Sequence, residues 1–115
     1  MNTINSIEEF AKRYNNICIK LKENVLDKMY GQNWDLCSVK TIESDIVNDD
    51  YRCYIDDLVE IIDYYSNHKD DSDADYDYNL KELKTLLNYL ENLDWGWFYE
   101  YFKCNCNVRR KCIYS

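Results

Sequence analysis

Apolar residues recur at helical spacing near the start of the chain. From about residue 6 to residue 30 they lie three or four positions apart, as they do on one face of an α-helix. They are Ile7, Phe10, Ala11, Tyr14, Ile17, Cys18, Leu21, Val25, Leu26 and Met29. Ser6 and Glu9 have the spacing of a capping box, and Gly31 suits the C-terminal end of a helix. The pattern therefore predicts a first helix over about 6–30.

Two further helices are predicted before the middle of the chain. Val39, Ile42 and Ile46 permit a short helix whose N-cap is Ser38. Asp49 or Asp50 can then cap a longer helix that runs to about Tyr65. We expect the apolar face of this longer helix to bury Tyr51, Tyr54, Ile55, Leu58, Ile62 and Tyr65.

The last predicted helix is rich in leucine. Asn79 is its expected N-cap, and it closes near Asp94. Its apolar residues are Leu80, Leu83, Leu86, Leu87, Leu90 and Leu93. The aromatic residues of 95–104 alternate as in a strand, although Asp94 can also cap a helix there. We favour the helix, because a lone strand would have no partner.

Composition agrees with a helical fold. The chain has 115 residues, 46% of them apolar, no proline and two glycines, so Gly-rich phosphate loops are excluded. We predict a single all-α domain over 1–115, a bundle of three to five helices with an aromatic C-terminal segment. The alternative is an α+β fold with a short C-terminal strand or hairpin.

The net charge of −8 is concentrated in one part of the chain. Residues 43–77 contain thirteen Asp or Glu against two Lys or Arg, which gives that interval a net charge of −11. Such a field repels phosphates, so direct binding to nucleic acid or to an anionic membrane through it is not expected. Within the interval, 67–78 has almost no apolar content, and we expect an extended, mobile or cation-wrapped loop.

Part of this acidity is predicted to form a binding surface. Asp56, Glu60 and Asp63 fall on one side of their helix, about 5–6 Å apart. Neighbouring tyrosines can supply the anchors that charge alone lacks. The expected partner-binding residues are Asp56, Asp57, Glu60, Asp63, Asp70, Asp71, Asp73, Asp75 and Asp77, with Tyr64, Tyr76 and Tyr78. The alternative is a helix face that serves only solubility.

One stretch of the acidic interval resembles the twelve-residue EF-hand calcium loop. Asp71, Asp73, Asp75, Asp77 and Glu82 stand at positions 1, 3, 5, 7 and 12, and Asn79 stands at position 9. Position 6, which is glycine in the family, is Tyr76, and position 8, usually aliphatic, is Tyr78. The resemblance implies a possible calcium site in this loop only.

The six cysteines suggest a second, weaker metal candidate. Cys104, Cys106 and Cys112 could contribute three thiolates to a zinc site, but free thiols in a basic tail are favoured. Cys18 and Cys53 lie at apolar helix positions and are expected in the core. No other cofactor is expected.

Taken together, the pattern favours a binding protein over an enzyme. The single histidine, His68, lies in the segment expected to be mobile, and no hydrolase, protease or nucleotide-binding motif occurs. We expect a cytoplasmic inhibitor whose acidic face occludes the basic cleft of a nuclease or of a CRISPR or restriction effector. Phage or viral anti-defence proteins (anti-CRISPR or anti-restriction) and nuclease-toxin immunity proteins include small acidic proteins of similar composition. The alternatives are a calcium- or zinc-dependent regulatory module and a helical interaction domain.

Overall fold

The computed structural model describes residues 3–31 and 35–105, with side chains described as far as Leu93. Over these residues the fold is all-α, as predicted, and contains no strand. The elements are α1 (Ile7–Leu21), a π-helical segment (Lys22–Leu26), α2 (Asp27–Tyr30), α3 (Val39–Val47), α4 (Arg52–Asn67) and α5 (Tyr76–Asn105).

The predicted first helix is confirmed, with one difference in its second half. Ser6 Oγ accepts a hydrogen bond from the Glu9 backbone N–H at 3.0 Å, and Gly31 ends α2 with a φ of 83°. Between α1 and α2 the chain widens into a π-helical segment, across which Lys22 Nζ lies 3.0 Å from Asp27 Oδ1. The wider turn brings Val25 and Leu26 together into the core.

The predicted caps of α3 and α4 had different outcomes. Ser38 caps α3 as expected, its Oγ accepting from the Thr41 N–H at 3.2 Å. The prediction that Asp49 or Asp50 caps α4 was wrong, because the N-cap is Tyr51 and makes no side-chain capping bond. The Asp50 N–H instead donates to the Asp45 carbonyl at 2.7 Å, so Asp50 lies in the turn that ends α3.

The last helix is longer than predicted at both ends. It begins at Tyr76, and the Asn79 N–H donates to the Asp75 carbonyl at 2.8 Å inside its first turn. Asn79 is therefore a buried helical residue, so its prediction as an N-cap was wrong. At the other end α5 continues to Asn105, which confirms the helix over 95–104 and leaves the strand alternative unsupported.

The core lies where α1, the π-helical segment, α4 and α5 meet, with α3 packed against α1. Its fully buried large side chains are Phe10, Leu26, Ile42, Leu58, Ile61, Leu83, Leu86 and Leu90. Aromatic pairs lie at the helix contacts: the Phe10 ring stacks on Tyr89 of α5 at 5.3 Å, and Tyr14 meets Tyr54 of α4 edge-on at 5.2 Å. Cys53, which was predicted to lie in the core, is exposed on α4.

A salt bridge joins α1 to α5 across 69 residues of sequence. Arg13 donates from Nε to Glu82 Oε2 at 2.9 Å and from Nη2 to Glu82 Oε1, while Nη1 lies 3.0 Å from Glu9 Oε2. The hydrogen bonds to Glu82 raise the pKa of Arg13 further above its ordinary value, against the opposing effect of burial. Because the two side chains are largely buried, this pair fixes the position of α5 on α1.

Replacement of Arg13 tests this contact. Arg13→Met keeps an apolar stem but leaves the Glu82 carboxylate without its partner, so we expect a loss of about 2–3 kcal/mol in the free energy of unfolding. The control is Lys12→Met, which removes the exposed pair with Glu8 and costs less than about 0.5 kcal/mol. Urea unfolding measures both, and equal losses would contradict the role given to Arg13.

Candidate functional site

An acidic surface runs along the exposed side of α4 and continues into the loop that follows it. We define it by its exposed carboxylates, which are Asp56, Glu60 and Asp63 on α4, Asp70, Asp71 and Asp75 in the loop, and Asp77 at the start of α5. Val59 lies among the α4 carboxylates and is 48% exposed. The structure therefore places most of the predicted partner-binding acids at the surface.

Asp57 differs from its neighbours on α4. Its side chain is half-buried, and burial raises its pKa, with further contributions from the negative charges of Glu60 and Asp56. Its charge in turn contributes to the raised pKa values of Tyr14 and Cys18 on α1. Asp57 is therefore less accessible than Asp56, Glu60 and Asp63, and its assignment as a partner-binding residue stays a prediction.

Tyrosine hydroxyls donate hydrogen bonds to several carboxylates of this region, and none of these bonds was predicted from the sequence. Tyr54 of α4 donates to Asp45 Oδ2 of α3, and Tyr65 of α4 donates to Asp73 Oδ2 of the loop at 2.6 Å. Tyr30 of α2 donates to Glu60 Oε1 at 3.0 Å. Burial, followed by these hydrogen bonds, raises the pKa of Tyr30, Tyr54 and Tyr65 above the ordinary value for tyrosine.

These hydrogen bonds leave the charge of the carboxylates in place. A neutral hydroxyl satisfies one oxygen of an anion without neutralising it, in contrast to a lysine or arginine. Among the described side chains, the acids that lie within 4 Å of a Lys or Arg are Glu8, Glu9, Asp27 and Glu82, all outside the acidic interval. Lys69, one of the two cations of the interval, lies over the Tyr76 ring at 5.1 Å.

The loop between α4 and α5 is built from short polar turns, in place of the extended chain that was one of its predicted forms. Asp70 Oδ1 accepts hydrogen bonds from the Ser72 N–H at 2.9 Å and from its hydroxyl at 2.7 Å, and these bonds lower the Asp70 pKa. Asp73 Oδ1 accepts from the Asp75 N–H at 3.1 Å. Carboxylates that bind local backbone N–H groups in this way favour turns over extended chain.

The residues of the predicted calcium loop do not converge in this structure. Asp77 already lies on α5, and the Glu82 carboxylate, expected to be the bidentate ligand, is occupied by Arg13. Asp73 is occupied by Tyr65 and by the Asp75 N–H, while Asp71 and Asp75 are exposed. Within residues 3–31 and 35–93, no group of three His, Cys, Asp or Glu side chains is placed to hold a metal ion. The resemblance to an EF-hand therefore does not extend to the geometry.

The three predicted tyrosine anchors lie in different surroundings. Tyr76 is buried, with its ring 4.8 Å from that of Tyr65, so its prediction as an anchor was wrong. Tyr64 is half-buried and borders the acidic surface. Tyr78 is 59% exposed, but Lys20 Nζ lies 5.0 Å from its ring, beside a hollow that Arg13 also lines. Only Tyr64 is thus placed to serve the acidic surface of α4.

The cysteine predictions are tested only in part. Cys106 and Cys112 lie outside the described residues, as does the side chain of Cys104, so the zinc candidate stays a prediction. Cys18 is buried as expected, and burial raises the pKa of its thiol to about 12. None of the helices in the described part of the chain is long and apolar enough to cross a membrane.

Comparison with known proteins found no relative. No family model matches the chain, and neither the curated proteins nor the solved structures that were compared contain a match. Arguments about function therefore rest on the geometry of the residues themselves.

The Tyr65 hydroxyl should be needed for the join between α4 and α5. It donates to Asp73 and accepts from Asn79 Nδ2 at 3.3 Å, and Asn79 Oδ1 is buried without a partner among the described groups. Tyr65→Phe leaves more polar atoms unsatisfied, so we expect a loss of about 1–3 kcal/mol in urea unfolding. Tyr78→Phe, which removes a hydroxyl from an exposed tyrosine, should change stability by less than about 0.5 kcal/mol. Equal losses of stability in Tyr65→Phe and Tyr78→Phe would argue against a stabilising hydrogen-bond network of Tyr65, Asp73 and Asn79.

Asp57 should make stability depend on pH. Because its pKa is raised in the folded protein, its ionised form destabilises the fold at neutral pH. Asp57→Asn is expected to raise the Tm at pH 7, and the gain should shrink as the pH falls toward about 3.9, the ordinary pKa of aspartate. Thermal unfolding from pH 4 to pH 7 measures the effect, with Asp56→Asn on the exposed side as control. A gain for Asp57→Asn that does not vary with pH would contradict this explanation.

Proposed function

We propose that the protein is a stoichiometric inhibitor that docks its acidic surface onto the basic nucleic-acid-binding cleft of an enzyme. The observation that carries the proposal is the concentration of exposed carboxylates on this surface. The four ion pairs seen between described side chains use acids that lie outside it. A protein that needed acids only for solubility has no reason to concentrate thirteen of them in 35 residues.

The arrangement of the acids suits a basic cleft. Asp56, Glu60 and Asp63 extend over about 10 Å of helix, and the loop carboxylates begin where α4 ends. Duplex DNA carries about one charge per 1.7 Å, so the α4 row is sparser than the nucleic acid and needs the loop to extend it. The folded turns of the loop support this reading, because fixed carboxylates lose less entropy on binding than mobile ones.

The acidic surface also offers a small apolar contact. Val59 is exposed among the carboxylates of α4, and the half-buried Tyr64 borders them. Charged rims mainly accelerate association and select partners, whereas buried apolar and aromatic groups supply much of the affinity. Inhibition would follow from occlusion, since a cleft filled by this surface cannot take up its nucleic acid.

The proposed partners are nucleases and nucleic-acid-guided or restriction-type effectors, which need basic clefts for their substrates. An anti-defence protein of a phage or virus, such as an anti-CRISPR or anti-restriction protein, would act in this way. An immunity protein that neutralises a nuclease toxin would do the same. Both roles require a protein partner with a basic surface, and neither requires catalysis by this chain.

Neutralisation of the α4 carboxylates tests the proposal. The partner is first captured at low salt from a lysate of the cells in which the protein acts, and its activity on nucleic acid is then assayed with purified inhibitor. The triple variant Asp56→Asn, Glu60→Gln, Asp63→Asn should slow association by about tenfold, because electrostatic steering is lost, and should weaken inhibition accordingly.

The matched control is the triple variant Glu8→Gln, Glu23→Gln, Asp35→Asn, which removes three exposed charges outside the acidic surface. It should associate at close to the wild-type rate. Equal association rates for the two triple variants, or a nuclease that remains fully active with excess wild-type protein, would contradict the proposal. Thermal unfolding of each variant confirms that the fold is unchanged.

A further inference from the structure

A groove separates the acidic part of α4 from the preceding helical elements. It consists of two adjoining hollows of about 390 and 420 Å³, and Lys28, Tyr64 and His68 line both of them. The π-helical segment and α2 form one wall, and the second half of α4 with the following loop forms the other. π-Helical segments occur frequently beside functional sites.

Two stacked rings line the groove. The Tyr64 and His68 rings lie 4.0 Å apart with an angle of 13° between their planes. His68 Nδ1 lies 2.9 Å from the Tyr64 carbonyl oxygen, and since a carbonyl can only accept, Nδ1 carries the proton. The Nε2 atom is therefore the ring nitrogen that is left for a hydrogen bond with a ligand.

Carboxylates lie at both ends of the groove. Glu60 and Asp63 line one hollow, and Asp70 and Asp73 line the other, whereas Lys28 is the one lysine or arginine among the described lining residues. The described lining is therefore net negative, which favours a cationic ligand.

We propose that the groove receives an arginine side chain of the basic partner, with its guanidinium stacked on the Tyr64–His68 pair and hydrogen-bonded to the flanking carboxylates. The inference rests on the proposed function and specifies the contact made by the partner. A guanidinium is planar and weakly hydrated and stacks on aromatic rings, whereas an ammonium group is a strongly hydrated point charge. The groove should therefore prefer arginine over lysine.

Two short peptides test the inference on the full chain. Acetyl-hexaarginine amide and acetyl-hexalysine amide, which carry the same charge, are titrated by calorimetry at low salt. We expect the arginine peptide to bind about two- to fivefold more tightly at pH 7.5. His68→Gln, at an exposed position, should reduce this advantage, and Tyr64→Leu should abolish it. Tyr78→Leu, outside the groove, is the control and should keep it.

The outcomes separate this inference from the proposed function. Equal binding of the two peptides to the wild-type protein would overturn the proposal that the groove receives an arginine. An unchanged advantage of the arginine peptide in both His68→Gln and Tyr64→Leu would overturn it as well. If the wild-type protein binds the two peptides equally and the triple variant of Asp56, Glu60 and Asp63 binds neither, the acidic surface still recognises basic ligands. Absence of binding by either peptide to the wild-type protein would contradict both proposals.

Discussion

The hydrogen bond between a tyrosine hydroxyl and a carboxylate is the interaction on which this fold depends. Three such bonds involve α4. Tyr54 donates to Asp45 of α3, Tyr65 donates to Asp73 of the loop, and Glu60 accepts from Tyr30 of α2. A hydrogen bond to a charged group contributes about 1.5–3 kcal/mol when well formed, and less at exposed sites. Together they attach the most acidic part of the chain to its neighbours without a cation.

This choice of donor has an electrostatic consequence that leads to the proposed function. A carboxylate held by a lysine or arginine is neutralised locally, as Glu82 is by Arg13 on the other side of the molecule. A carboxylate held by a phenol keeps its charge. Of the three carboxylates held in this way, Glu60 belongs to the acidic surface, whereas Asp45 and Asp73 are half-buried. The bond from Tyr30 therefore holds Glu60 without neutralising it, which suits a partner with a basic cleft.

The sequence predicted the helices well because periodicity is a local property. The N-cap at Ser6, the N-cap at Ser38 and the glycine at Gly31 are each predicted from a few neighbouring residues, and all three are present. The Glu9 carboxylate, expected to accept from the Ser6 N–H, accepts from the Asn5 N–H instead. The exposed acids Asp56, Glu60 and Asp63 could be assigned for the same reason, since helical spacing alone decides which side of α4 they share.

What could not be predicted depends on contacts between residues far apart in sequence. Tyr76 was assigned to the surface because acids flank it, yet its ring packs on Tyr65, and α5 starts early enough to bury Asn79. Nothing local pairs Arg13 with Glu82, 69 positions away, which is why Glu82 was taken for a calcium ligand. The groove at His68 could not be predicted for the same reason, since Lys28 and Tyr64 line it together only in the folded protein.

The central claim, that repulsion dominates among the exposed carboxylates of the acidic surface, is tested most directly by the salt dependence of stability at pH 7. Between 0.01 M and 1 M salt the Debye length falls from about 30 Å to about 3 Å, so repulsion between exposed carboxylates is screened. If these charges are unpaired, the free energy of unfolding measured in urea should rise steadily with sodium chloride. A steady fall would show that attractive ion pairs dominate the surface, and it would contradict the account.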